Sequence, residues 1–188
     1  MASKAQRVGI WIIAGALTVG TIGSFAIMIL QNDNQKRDAE VAQQLQGDNA
    51  AEQKAAQEAY LLTLEPLTGY GAEAFDASTV TALQKDILVP GTGDEVKETD
   101  SINASYFGWT SDGKIFDSSK KIGADDEPVT FPLSGVIAGW TQGLAGQRVG
   151  STIKLTIPAD LAYGASGTGS IAPNSPLVFV VTINTIEQ

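Results

Sequence analysis

Neither cysteine nor histidine occurs anywhere in the 188 residues. No disulfide framework, thiolate nucleophile, imidazole general base or ordinary zinc site can therefore be built, and a lipid-acylated cysteine anchor is excluded with them. Positive charge is also scarce. The chain sets 12 Lys and Arg against 21 Asp and Glu, a net charge of -9. The basic face that nucleic-acid phosphates require is missing, so no nucleic-acid partner is expected. What remains for chemistry is rings, hydroxyls, carboxylates and backbone groups. The length allows one domain of roughly 100 to 150 residues plus appended segments.

Charge is absent altogether from Val8 to Leu30, VGIWIIAGALTVGTIGSFAIMIL. That run meets the roughly 20 apolar residues needed to cross hydrocarbon as a helix, which predicts a short tail (1–7), a transmembrane helix (8–30) and attachment to a membrane through this N-terminal anchor. A cleavable signal peptide is the competing reading, but its apolar core is about 7 to 15 residues and no small-x-small site follows Leu30. Lys4 and Arg7 precede the span, while Lys36 and Arg37 follow it. A short basic tail stays cytoplasmic, which puts the C-terminal part on the extracytoplasmic side of a single-pass protein. Residues 31–82 read as a polar stalk and connector. Up to Tyr60 they are rich in Ala, Gln, Glu and Asp, partly helical and interrupted near Gly47-Asp48-Asn49. Pro66, Gly69 and Gly71 then break the chain within a stretch able to pack on a following domain.

From Leu83 onward short strands alternate with turns. Asp112-Gly113 is a hairpin signal between Ser105–Thr110 and Lys114–Phe116. Ile153, Leu155 and Ile157 share one strand face, as do Leu177, Phe179, Val181 and Ile183. Val136–Leu144 reads as the one short helix, ended by Gly146. The expected architecture is α+β, an antiparallel sheet curled around one short helix. Large rings and branched aliphatics recur beside Gly through this half: Tyr106, Phe116-Asp117-Ser118-Ser119, Val136-Ile137-Ala138-Gly139-Trp140, Ala162-Tyr163-Gly164 and Leu177-Val178-Phe179. Such a set can line an apolar pocket with few polar groups. Tyr163 opens a Gly-rich loop suited to overhang that pocket and to donate its phenol proton to a bound carbonyl.

In order, spacing and local motifs these residues resemble the FKBP-type peptidyl-prolyl cis-trans isomerases, over about Leu83 to Ile186. The resemblance implies a prolyl isomerase domain at 83–188 acting on proline-containing polypeptides, with no cofactor and with a macrolide as a further candidate ligand. It implies Trp140 as the floor beneath the prolyl ring. Val136 and Ile137 are implied as a wall, with the Ile137 N–H as a donor to a substrate carbonyl. Tyr106, Phe116 and Phe179 would complete that wall, Asp117 would hydrogen-bond Tyr106, and Ile171 would stand on the far side. The chain departs from the family where Val129 occupies a position often aromatic, in the acidic loop Lys120–Glu127, and where Ile171-Ala172-Pro173 replaces Ile-Pro-Pro. No bulky chaperone insertion interrupts the loop between Tyr163 and Leu177, so no dedicated client-binding subdomain is expected there. Two alternatives stay open: a non-catalytic module or chaperone of the same fold that holds proline-containing segments, and an envelope spacer in which stalk and anchor dominate.

Overall fold

The computed structural model describes residues 49–187. The span at 8–30 lies outside them, and among the described residues no helix is long and apolar enough to cross a membrane. The chain divides into two compact units, Met1–Lys54 and Ala55–Gln188. Of the first, residues 49–54 are described and are exposed helix. This helix, α1, continues through residue 61.

The second unit is built on a six-stranded antiparallel sheet with β1 (Gln84–Val89), β2 (Ser101–Thr110), β3 (Ile115–Ser118), β4 (Val129–Pro132), β5 (Thr152–Ile157) and β6 (Leu177–Glu187). The order is β1-β5-β6-β2-β3, and β4 also pairs with β2. Thus β3 and β4 share one side of β2, at Phe107–Trp109 and Ser101–Ala104 respectively. The short helix α2 spans Ala138–Leu144. Asp112-Gly113 turns between β2 and β3, with Gly113 at φ 81°, a conformation that glycine adopts without strain.

Strand alternation gives the sheet two buried faces. Ile102, Ala104 and Tyr106 of β2 join Ile153, Leu155 and Ile157 of β5 and Leu177, Phe179, Val181 and Ile183 of β6 in the main core. On the other face Phe107 and Trp109 stack at 5.1 Å and pack with Val178, Val180, Leu67, Tyr70, Ala72 and Phe75. The connector therefore covers the sheet's outer face, and the Trp109 indole donates to the Glu73 carbonyl at 2.9 Å. Each large side chain so buried contributes about 1.5–3 kcal/mol relative to exposure.

Helix α2 lies tight on β5 because its contact face is glycine. A Cβ at Gly139 would strike the Ile157 side chain, and one at Gly143 would come within 2.8 Å of Leu155. These two positions, one helical turn apart, fix how closely Trp140 approaches the sheet.

Candidate functional site

Trp140 sits in the first turn of α2 and is 4% exposed. Three rings meet it edge-on: Phe131 at 5.3 Å, Tyr106 at 5.4 Å and Phe179 at 5.4 Å between centroids. Phe131 also meets Tyr106 at 5.3 Å, and Phe116 meets Phe179 at 5.4 Å. Edge-to-face geometry sets the positive ring edge against the negative π face and is worth about 0.5–1.5 kcal/mol per pair beyond burial. Gly108 makes room for the last pair, since a side chain there would collide with both Phe179 and Phe116.

Around this floor stand half-buried residues. Phe116, Phe131, Val136 and Ile137 pack against the core without being fully covered, while Ile171 is buried within it. Ile137 is the N-cap of α2, with φ -59° and ψ 146°, and its carbonyl accepts from Trp140 N–H at 2.9 Å. Its own N–H has no backbone acceptor among the described residues, as expected at a helix start. The Trp140 Nε1–H is buried with no hydrogen-bond partner. Leaving such a donor unpaired costs roughly 1–3 kcal/mol.

The Phe116-Asp117-Ser118-Ser119 motif arranges the polar edge. Tyr106 Oη donates to Asp117 Oδ2 at 2.7 Å. Ser118 Oγ donates to the Glu65 carbonyl at 2.6 Å. Ser119 Oγ accepts from Tyr106 N–H at 2.8 Å and donates to Asp126 at 2.6 Å. Burial, with the Asp117 carboxylate beside it, pushes the Tyr106 phenol far above the usual phenol range. Tyr163, 39% exposed, is raised as well, by partial burial and then by Asp117. Both phenols remain protonated donors at neutral pH, and Asp117 lies within electrostatic reach of each. No cluster of metal-ligating side chains occurs among the described residues.

A family model for FKBP-type peptidyl-prolyl cis-trans isomerase matches residues 93–184. The crystal structure of FkpA from Escherichia coli aligns at TM-score 0.52 and 31% identity, over 93% of this chain and 82% of that one. The chain belongs to the FKBP-type peptidyl-prolyl cis-trans isomerase family. A peptidyl-prolyl cis-trans isomerase from Pseudomonas syringae aligns at TM-score 0.51 and 30% identity, over 71% of this chain and 92% of that one. Among curated FKBP-type relatives, FkpA of Aeromonas hydrophila is 46% identical over 111 residues, 59% of this chain and 40% of its own. Outer membrane protein MIP of Legionella longbeachae is 38% identical over 109 residues, 57% of this chain and 46% of its own. The chain thus spans less than half the length of these two curated relatives.

Within this FKBP-type domain, Tyr106, Trp140, Phe179 and Ile171 fall in one buried cluster, against which Phe116, Val136 and Ile137 pack. Asp117 joins them through the Tyr106 hydroxyl, while Tyr163 is outside the cluster, next to Ala162, which packs against it. Phe131 was not among the residues singled out from sequence, yet it touches both Tyr106 and Trp140. It stands two residues after Val129 on the four-residue strand β4, on the same strand face. Val129 itself is 40% exposed, so the ring at Phe131 supplies aromatic wall on this strand.

Proposed function

We propose that the chain is a prolyl cis-trans isomerase whose site is the ring cluster floored by Trp140, carried by a domain at 83–188. The barrier to peptide rotation, ~18–20 kcal/mol, comes from resonance in the C–N bond. A twisted imide has lost that resonance and is less polar than the planar one, so a water-poor wall of rings favours it over the ground state. Trp140 bears the prolyl ring, with Tyr106, Phe116, Val136, Ile171 and Phe179 around it. The Ile137 N–H and the Tyr163 hydroxyl donate to substrate carbonyls, and Asp117 orients Tyr106. No bond to carbon is made and no proton is abstracted. What supports this reading above all is the T-shaped packing of three rings around one nearly buried indole.

The substrates in this proposal are X-Pro bonds of exported or envelope proteins, and a macrolide would occupy the same floor. The uncharged run at 8–30 would anchor the chain as a single-pass helix with residues 31–82 as stalk, the isomerase standing on the extracytoplasmic side. The name of the Legionella relative sets that protein in the outer membrane, which accords with an envelope setting. The test is isomerisation of a proline peptide by the full chain in detergent. Acceleration over spontaneous exchange is expected. A rate equal to the spontaneous one, or one untouched by Trp140→Leu together with Tyr163→Phe, would remove the proposal.

A further inference from the structure

The end of α1 and the residues after it meet the chain segments that follow two residues of the candidate site, Asp117 and Tyr163. Residues 63–65 run antiparallel to 120–122, directly after the Phe116–Ser119 motif: Ile122 N–H donates to the Thr63 carbonyl at 2.8 Å and Glu65 N–H to the Lys120 carbonyl at 3.1 Å, around a Leu64–Lys121 bridge. This pairing brings the Lys121 ammonium over the Tyr60 ring, 5.5 Å from its centroid. One helical turn earlier, Gln57 faces the loop that follows Tyr163, and a Cβ on Gly169 would lie 3.3 Å from its amide nitrogen. Residues three apart share a helix face. Gln57 and Tyr60 therefore span from the Tyr163 loop to the Asp117 loop.

Tyr60 is 45% exposed, so a ring with a cation on it remains open to a ligand. Lys121 follows Asp117 by four positions, at most ~14 Å of extended chain. Four residues of an extended peptide cover the same length.

We propose that Tyr60 and Gln57 form an outer subsite of the isomerase, taking an aromatic or large aliphatic side chain of the client polypeptide beyond the residues that adjoin proline. The inference rests on the prolyl-isomerase reading of the Trp140 site. The occupant is the same extended chain whose proline lies on Trp140, because Tyr60 and Gln57 lie against Lys121 and Gly169, on the segments that lead away from Asp117 and Tyr163. Tyr60 supplies a ring face stiffened by Lys121, and the Gln57 amide can bond the passing backbone.

The experiment compares two peptides with the full chain in detergent: a tetrapeptide centred on proline and a dodecapeptide with a phenylalanine four positions from its proline. The unaltered chain is expected to favour the longer peptide in kcat/KM. Tyr60→Ala should lower the long-to-short ratio about fivefold to tenfold, chiefly through KM, Gln57→Ala should lower it by a smaller factor, and Tyr60→Phe should restore it. A ratio unmoved by Tyr60→Ala and Gln57→Ala, in chains that still turn over the tetrapeptide, overturns the subsite and leaves the isomerase reading standing. Failure of the unaltered chain to turn over either peptide overturns both.

Discussion

The indole of Trp140 stands T-shaped to three rings and its N–H has no hydrogen-bond partner, an arrangement that fixes shape without tying the floor to a particular polar group. Trp140→Leu keeps an apolar side chain but loses both the plane and much of the volume of the floor, and kcat/KM for a proline peptide is expected to fall at least tenfold, a loss of about 1.4 kcal/mol of transition-state stabilisation. The tyrosines set a pH dependence. An unfolded phenol ionises near pH 10.0, whereas folding raises Tyr106 above that value, chiefly through burial and then through Asp117. The folded chain binds this proton more tightly, so the contribution to stability is complete below pH 10 and is lost as pH rises above it. Denaturant midpoints measured across the alkaline range should fall above pH 10, and Tyr106→Phe should flatten that fall. A curve identical in the variant would refute the assignment.

At the scale of elements, two opposing effects meet in α2. Replacing a helical Gly by Ala gains about 1 kcal/mol of helix propensity, while forcing a methyl into a packed core costs about 1–3 kcal/mol. At Gly139 the new methyl would be driven into Ile157, which is fully buried, so overpacking wins. Gly139→Ala is expected to lower the unfolding midpoint and, by displacing its neighbour Trp140, the turnover of proline peptides as well. The helix-ending Gly146, the Asp112-Gly113 hairpin and the alternation of β5 and β6 were legible in the chain because each is written in local chemistry: a positive φ, a turn dipeptide, a period of two. β2 was seen only from Ser105, although it begins at Ser101, because Ser101 and Asn103 are polar and Ala104 is too small to extend the apolar alternation that Ile102 begins. Phe131 and Tyr60 escaped for a different reason. Their neighbours are far along the chain, and nothing in a polar helix or a four-residue strand announces which distant ring it will meet.

For the whole molecule, the outer face of the sheet matters as much as the inner one. Leu67, Tyr70 and Phe75 cover Phe107 and Trp109, and Glu73 accepts from the Trp109 indole. A fragment beginning at Leu83 is therefore expected to be less stable than one beginning at Ala55 by roughly 2–4 kcal/mol. Urea unfolding of the two fragments measures the difference, and equal midpoints would show that the cover contributes nothing. The two indoles of the described residues also live in unlike surroundings: Trp109 is stacked on Phe107 and bonded to a carbonyl, whereas Trp140 keeps a bare N–H at the floor of the candidate site. In a fragment from Ala55, which leaves out Trp11, tryptophan emission, excited selectively over tyrosine, comes from these two alone. Emission altered by a docking peptide would then belong to one chromophore, and emission altered by detachment of the outer cover to the other, so that a single unlabelled sample carries an optical gauge for each side of the sheet.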